Sequence, residues 1–595
     1  MTTILIDSDR NAYGTAFLFK DPSSIVTTSS ISDVPQALQQ IEKAVANGLY
    51  AAGFFSYELG YAFEQRLRCR MPSDLKVPLI WFGLFEDAEQ LDRDGVRDFL
   101  KADDNSQDYG FEDFELALSR EQYRSAFEKA QENISSGNIY QLNLTFNAHF
   151  QFHGNSKALY RDLKHKQRMN NGAFIQSKEF DVISASPELF LAIDGDQVRT
   201  VPMKGTAKRG YTSAQDAEIC AELQNDLKSQ AENLMIVDLM RNDLGRISEI
   251  GEVRVPELFA IETYPTLHQL VSHVTSTLRP GISISEWVSA LYPPGSITGA
   301  PKVRAMEIIH ETESEQRGVY TGTIGMFLPE MQKPRQTYFN VGIRTLTLWP
   351  DGRGELGIGS GVVSDSRADD EYDECILKMK FVSDAVTDFQ LIETYAYSPE
   401  EGYHYYNYHI ERLRKSAAYF NYRFDQAAVE AALRETEEEI RGGYYRVRLL
   451  LSADGSLSIT PTQTEAPKPD GVMRFVISDK RINKDNIYLY HKTTNRNFYD
   501  EEHARETADN RCDEVLFLNE DGQITEGSRT NIFIERDGIL LTPPIESGLL
   551  AGTMRAELIA TGRAKESVLT KDDLNSKGQV YLGNSVRGLL KAIQV

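Results

Sequence analysis

Hydrophobic and polar positions alternate along this chain in two distinct regimes that meet near residue 388. Up to about residue 110, short strand-like apolar runs such as AAGFFSYELG (51–60) accompany a helical pattern, VPQALQQIEKAV (34–45). The polar, Asp-rich stretch KADDNSQDYGFED (101–113) then reads as the edge of a lobe. From about 115 to 385, amphipathic helices (REQYRSAFEKAQENIS, 120–135; a long run over 213–245) alternate with apolar strands (DVISASPELFLAI, 181–193; TYFNVGIRTLTLW, 337–349) and Gly-rich turns. That alternation predicts an α+β domain. After VSDAVTD (382–388) the pattern restarts with a strand FQLIETYAY, a helix HIERLRKSAAYF, and strands YYRVRLLLS and MRFVIS. A second α/β body is expected from there. No repeat of 20–50 residues and no long Gly/Ser or Pro linker is visible.

Composition narrows the function classes. The 595 residues leave room for three or four domains, and 64 basic against 88 acidic side chains give a net charge of −24. A nucleic-acid binder needs a clustered cationic surface, so that role is excluded as the main task. A local basic pocket for a small anionic substrate remains compatible with the global charge. The start, MTTILIDSDR, has neither the basic residues nor the apolar core of a secretory signal, and no apolar run reaches membrane-spanning length. The expectation is a cytoplasmic protein with no membrane partner. Cys69, Cys220, Cys375 and Cys512 are far apart with no CxxC pair, which argues against disulfides or a thiolate zinc site.

Seven motifs crowd the first half: GNIYQLNLT (137–145), SASPELFL (184–191), VPMKGTAKRG (201–210), AENLMIVDLMRNDLGRI (231–247), PPGSITGAPKVRAMEII (293–309), GIRTL (342–346) and GIGSGVVSDSRADDEYDECILK (357–378). In this order they resemble the chorismate-utilising family. Physically they suit a dianionic substrate held on a divalent cation. Glu232 is expected to close one helix, and Glu371 and Glu374 stand at i and i+3 on one face of another. Carboxylates bind a carboxylate only through a bridging hard cation such as Mg²⁺, which keeps waters in its remaining positions. The resemblance implies Mg²⁺ on Glu232 and Glu374 with Glu371 nearby. Arg344 on an apolar strand, Lys378 one helical turn beyond Glu374, and the GSITGAPK and GIGSG turns would supply positive charge and backbone amides. Thr298, Gly359, Ser360 and Gly361 are the substrate contacts that the family suggests.

Lys204 separates the chemistries. Anthranilate and isochorismate synthases have a small residue at this place, whereas the aminodeoxychorismate synthase branch has lysine. A buried amine of lowered pKa can act as a nucleophile. The resemblance implies that Lys204 attacks the substrate ring at C2 and Glu188 of SPELF protonates the departing C4 hydroxyl; ammonia then adds at C4. Where anthranilate synthases carry a catalytic His before LVS, this chain has Gln269, with His268 one place earlier. Tyr140, Gln141 and Asn143 occupy the neighbourhood of the water-activating lysine of isochorismate-forming relatives, which favours ammonia as nucleophile. No cysteine has the flanks of a glutaminase nucleophile. Ammonia is therefore expected from a separate glutamine amidotransferase subunit or from free ammonium.

In the second half IETYAY, YHIERLRKSAAYF, YHKTTNRNFYD, EVLFLNEDGQITEGSRTNIFI, LLTPPIESGLLAGTMRAELI and VYLGNSVRGL resemble the fold-type IV pyridoxal 5'-phosphate (PLP) enzymes. That group holds branched-chain and D-amino-acid aminotransferases and aminodeoxychorismate lyase. Its chemistry requires a Schiff-base lysine, an anion at the pyridine nitrogen, phosphate donors and a substrate clamp. By resemblance these are Lys492; Glu526; Arg412, Thr553 and Ser585, with a helix N-terminus after Gly552 adding amides; and Arg448. Thr394 falls where the lyases have a threonine beside the cofactor, and Asn495 and Arg496 fit a lyase-like KxxNR pattern.

Joined, the halves imply a bifunctional transferase and lyase of 4-aminobenzoate and folate biosynthesis: chorismate is aminated to 4-amino-4-deoxychorismate, and pyruvate is then eliminated. Two alternatives stand beside it: an anthranilate-synthase-type enzyme fused to an aminotransferase, and a non-catalytic metabolite-binding scaffold. The implied fold class is α+β, an αβ sandwich like that of anthranilate synthase component I over 1–387 (with an N-terminal lobe over 1–114), followed by a two-lobed fold-type IV domain over 388–595 split near 470. The resemblance also implies a homodimer through the second domain.

Overall fold

The computed structural model describes residues 2–7, 16–101, 109–166, 169, 171–264, 267–329, 335–383, 389–440, 442–468, 470–575 and 578–595. The expected junction at 387–388 and most of the polar stretch at 101–113 lie outside the described residues. The chain forms two compact units: Met1–Lys208 with Ile219–Val386, and Arg209–Glu218 with Thr387–Val595. Arg209–Glu218, which the sequence division places in the first domain, thus packs with the second unit.

The first unit is an αβ sandwich of two large antiparallel sheets. In one, Gln141–Gly154 pairs with Arg353–Val362 and the sheet continues through Thr345–Leu348, Asp181–Ser184, Gly172–Gln176, Thr3–Asp7 and Ala16–Lys20. In the other, Gln197–Val201 pairs with residues 274–277 of Leu267–Thr277 and Met203–Lys208 with its residues 267–271, and from Gln197–Val201 the sheet continues through Leu189–Asp194, Gln336–Val341, Thr323–Leu328 and Tyr50–Phe55. The strands are apolar on both faces because both faces are covered. Neighbouring residues show the division. Phe17 and Phe54 enter the cluster with Ile4, Trp81, Ile324 and Tyr338 that joins the sheets. Leu18 and Phe55 enter the cluster formed with helical Val34, Leu38, Tyr123 and Trp287. Pleat alternation alone assigns one residue to each side. The run 213–245 is two helices rather than one, because the Asp226 side chain accepts the Ser229 amide and caps a second helix, Leu227–Gly245. Glu232 therefore sits in the second turn of that helix instead of closing one.

The second unit has two lobes. A four-stranded sheet containing Leu391–Ser398 and Tyr444–Leu451 packs Leu391, Tyr395 and Val447 against Ile410, Leu413 and Leu433 of helices Tyr406–Phe420 and Gln426–Glu439. An eight-stranded mixed sheet beginning with Val472–Ile482 has its own core around Phe475, Leu516 and Ile532. Both halves thus have the α+β architecture expected from the sequence. Among the described residues no helix is long and apolar enough to cross a membrane.

Candidate active sites

In the first unit, Lys204 lies on Met203–Lys208, paired antiparallel with Leu267–Thr277. The register shifts between Met203 and Thr206, with Gly205 in the left-handed region (φ 89°). Gln269 holds this irregular turn: its Nε2 donates to Gly205 O at 2.9 Å and its Oε1 accepts from Thr206 Oγ1 at 3.1 Å. His268 points to the opposite side of the strand, where Nδ1 meets Thr263 Oγ1 at 3.0 Å and Cys220 Sγ at 3.3 Å. The imidazole is thus turned away from Lys204.

Burial lowers the Lys204 pKa and nearby Lys378 lowers it further, against the pull of Glu232, Glu188 and Glu374. Burial drives the Glu188 carboxyl the other way, to about 7, with Ser296 and Lys204 opposing. An amine that loses its proton easily thus faces an acid that keeps one near neutrality. A Cβ on Gly361 would lie 2.9 Å from Lys204 Nζ and 2.8 Å from Gln141 Nε2, so the glycine gives those two groups their space. The GIGSG segment is strand, within Arg353–Val362, rather than the turn expected from its glycines. Ser360 turns its hydroxyl to Tyr123 OH at 3.0 Å in the interior, leaving its backbone for any contact at the site. Lys378 Nζ donates to Gly359 O at 2.9 Å.

Arg344 is not on a strand either. It lies between Gln336–Val341 and Thr345–Leu348 with φ 50°, and its carbonyl accepts the Ala185 amide at 3.0 Å. Burial lowers its pKa, with Tyr264 opposing. Thr298 is fully buried; its hydroxyl donates within its own loop to Gly295 O at 3.1 Å, and its carbonyl accepts from Asn143 N at 2.8 Å.

The three carboxylates expected to hold Mg²⁺ form no ready cage. Among the described residues no group of three or more His, Cys, Asp or Glu side chains could hold a metal ion. Glu374 Oε1 is 2.6 Å from Lys378 Nζ, and Glu371 Oε1 accepts from Ser366 Oγ at 2.7 Å. Burial raises the Glu232 pKa, with Glu371 adding to the rise against Lys204 and Lys228. Carboxylate oxygens are hard donors of the type Mg²⁺ takes, and two of them suffice when water and substrate complete its octahedron.

Sequence reading missed Arg317. It is buried, with Nε and Nη2 donating to Glu313 at 2.8 and 2.6 Å, Nη1 to Ile297 O at 2.9 Å and Nη2 to Asn143 O at 2.7 Å. One guanidinium thereby ties the Thr298 loop to the Gln141 strand. Its only signal in the sequence is the Glu313–Arg317 spacing of four.

In the second unit, Lys492 follows a short 3-10 turn, and its carbonyl accepts the Ile392 amide at 2.8 Å. Burial lowers its amine to a pKa of about 7, reinforced by Arg412 and Arg496 and opposed by Glu393 and Glu526. Glu526, on Ile524–Gly527, is raised by burial to about 8, although Tyr499 OH donates to it at 3.2 Å. Arg412 pairs with Glu393 at 2.9 and 2.6 Å and donates to Ala551 O at 3.1 Å. Thr553 opens helix Thr553–Ala560 behind Gly552, where a Cβ would be 1.9 Å from Asn531 Oδ1. Ser585 Oγ donates to Thr394 O at 3.1 Å, and Thr394 stands opposite exposed Arg448 in the antiparallel pair.

These features fit PLP. A carboxyl left largely protonated by burial would be stabilised as an anion by a pyridinium, and a glycine-opened helix N-terminus bears amides that suit phosphate. Glu393 and His409, buried between Arg412 and Thr553, were also missed; the three-residue spacing of His409 and Arg412 on one helix was the available clue.

Residues 11–384 match the family described as chorismate binding enzyme, and residues 390–595 the family described as amino-transferase class IV. Aminodeoxychorismate synthase component 1 of Escherichia coli K12 is 36% identical over 347 residues, covering 55% of this chain and 75% of that protein. Its counterpart in Bacillus subtilis 168 is 34% identical over 357 residues, again 55% and 75%. The crystal structure of anthranilate synthase component I from Streptococcus pneumoniae covers 62% of this chain and 92% of its own at 24% identity, with a TM-score of 0.54, a likeness of fold.

Proposed function

The chain belongs to the chorismate binding enzyme family and carries an amino-transferase class IV domain behind it, and from that premise we propose that it converts chorismate to 4-aminobenzoate in two steps. The observation that carries this reading is the opposed pair in the first unit: half-buried Lys204, whose pKa desolvation lowers, and buried Glu188, whose pKa is about 7.

In the first step Arg344 and the backbone of Gly359–Gly361, with Thr298 and Lys378 beside them, bind the carboxylates of chorismate. Glu232 and Glu374, with Glu371 nearby, would hold Mg²⁺, which would supply positive charge for a substrate carboxylate. Neutral Lys204 forms a bond to ring C2 as the C4–O bond breaks, and Glu188 gives its proton to the departing hydroxyl, which leaves as water. Ammonia, from a separate glutamine amidotransferase or free ammonium, then bonds at C4 and the lysine amine departs.

In the second step Arg412, Thr553 and Ser585 would hold the phosphate of PLP, and Glu526 its pyridine nitrogen. Bound PLP supplies an electron sink for the bond electrons at C4. Lys492, with an amine pKa of about 7, takes the C4 proton. Arg448 binds a carboxylate while Thr394 lines the same strand pair. Loss of pyruvate leaves the aromatic ring of 4-aminobenzoate.

The test is product analysis with chorismate, Mg²⁺, PLP and ammonium. Wild type should give 4-aminobenzoate and pyruvate, Lys492→Ala should accumulate 4-amino-4-deoxychorismate, and Lys204→Ala should form neither. Anthranilate from wild type would refute the reading.

A further inference from the structure

Glu393, His409, Arg412 and Thr553 form one hydrogen-bonded chain whose direction can be worked out. Glu393 is fully buried, and although burial raises its pKa, Arg412 and His409 prevail and hold it at about 2. It is therefore an anion and only accepts. His409 Nδ1, 2.5 Å from Glu393 Oε2, must donate. His409 is itself fully buried, and burial lowers its pKa in spite of Glu393, with Arg412 and Lys492 also lowering it. A neutral imidazole that donates through Nδ1 accepts through Nε2. Thr553 Oγ1, 3.2 Å from that nitrogen, therefore points its only proton at His409.

This direction conflicts with the phosphate role of Thr553, because a phosphate dianion accepts hydrogen bonds and donates none. On the reading of this unit as a PLP domain, we propose that His409 is a positioning residue that takes up one proton when the cofactor phosphate binds. Thr553 then turns its O–H to a phosphate oxygen, His409 Nε2–H donates to the freed lone pair of Thr553 Oγ1, and Glu393 holds the resulting imidazolium through Nδ1–H. The proton comes from solvent, and the Nε2–H bond of His409 is the one covalent bond that forms, with none broken in the protein or the cofactor. The groups facing His409 are Glu393 on its strand, Arg412 one turn along its own helix, Lys492, Thr553 and the Tyr395 ring, with a centroid separation of 4.4 Å. The phosphate brings negative charge that joins Glu393 against the two cations, so electrostatics and hydrogen-bond direction favour the same proton uptake.

The test is calorimetric titration of the full-length apoprotein with pyridoxamine 5'-phosphate, which has no aldehyde to condense with Lys492. At about pH 8, where free imidazole is neutral and the phosphate is a dianion, binding is measured in buffers of different ionisation enthalpy. Wild type should take up about one proton more than His409→Gln and Thr553→Val, and Thr553→Ser should behave as wild type. Pyridoxamine without the phosphate should show no His409-dependent uptake. Tight binding with equal proton uptake in wild type and His409→Gln would overturn the relay while leaving the cofactor reading intact. Failure of every phosphorylated vitamer to bind wild type would overturn both.

Discussion

Replacing Arg317 by Met separates electrostatics from shape in the first unit, because Met retains much of the stem and removes the charge. Arg317 is buried, makes two hydrogen bonds to Glu313, whose side chain is only 5% exposed, donates to two carbonyls and lies 4.5 Å from the centroid of the Tyr57 ring. Removing one partner of a buried pair leaves the other uncompensated, at a cost of about 3–5 kcal/mol. Each carbonyl deprived of its donor adds roughly 0.5–1.5 kcal/mol. The total is about 6 kcal/mol. Unfolding entropy of about 2.1 cal/mol/K per residue over roughly 370 residues gives ~0.8 kcal/mol/K, so the melting temperature should fall by about 8 °C. Scanning calorimetry of the full chain checks this, the affected transition being the one that chorismate shifts upward. Because Arg317 ties the Thr298 loop to the Gln141 strand, KM for chorismate should rise as well. The double variant Arg317→Met/Glu313→Leu removes the stranded charge and should be more stable than Arg317→Met alone. A single-variant shift under about 2 °C, or a double variant less stable than the single, would refute the reasoning.

If Glu188 is the proton donor proposed above, the amination rate should fall as pH rises through about 7, where its carboxyl loses its proton, and Glu188→Gln should abolish that alkaline limb; a pH–rate profile of kcat decides. Glu526 has a folded pKa of about 8, above its ordinary value of 4.5. The folded state thus binds the proton more tightly, and this contribution to apoprotein stability is full below about pH 4.5 and declines above it. Melting temperatures between about pH 5 and 6, below the pH of about 7 at which Lys492 titrates, should therefore fall in wild type and change less in Glu526→Gln. Gly361→Ala places a methyl 2.9 Å from Lys204 Nζ and 2.8 Å from Gln141 Nε2; both are ends of side chains that can swing, so amination should be lost with little change in thermal stability, as steady-state kinetics and calorimetry would show.

The apolar strand runs were legible because strands covered on both faces need apolar residues at nearly every position, as in AAGFF and TYFNV. Segment type was less legible where glycine has two uses. GIGSG reads as a turn if its glycines supply positive φ, yet Gly359 and Gly361 are extended and serve close approach instead. Arg344 reads as a strand residue from its apolar flanks but occupies a left-handed position between strands, which no local pattern announces. The Glu393–His409–Thr553 chain joins residues over 140 positions apart, and tertiary contacts of that kind leave almost no trace in a single sequence.

What the sequence lacks most is burial, and burial gives the candidate residues their chemistry. Lys204 and Lys492 are both lowered first by burial and then by a neighbouring cation, Lys378 in one case and Arg412 in the other. Glu188 and Glu526 are raised by the same burial, to about 7 and about 8. Each site thus moves an amine down and a carboxyl up, toward each other, which is the direction that proton exchange at physiological pH requires. An exposed lysine and glutamate in the same motifs would be a permanent cation and a permanent anion. A substitution that admits water beside Lys204 or Lys492, with the residue itself retained, should therefore remove activity by restoring the ordinary pKa. For that reason the motifs name the participants, while the packed sheets around them determine whether they can react.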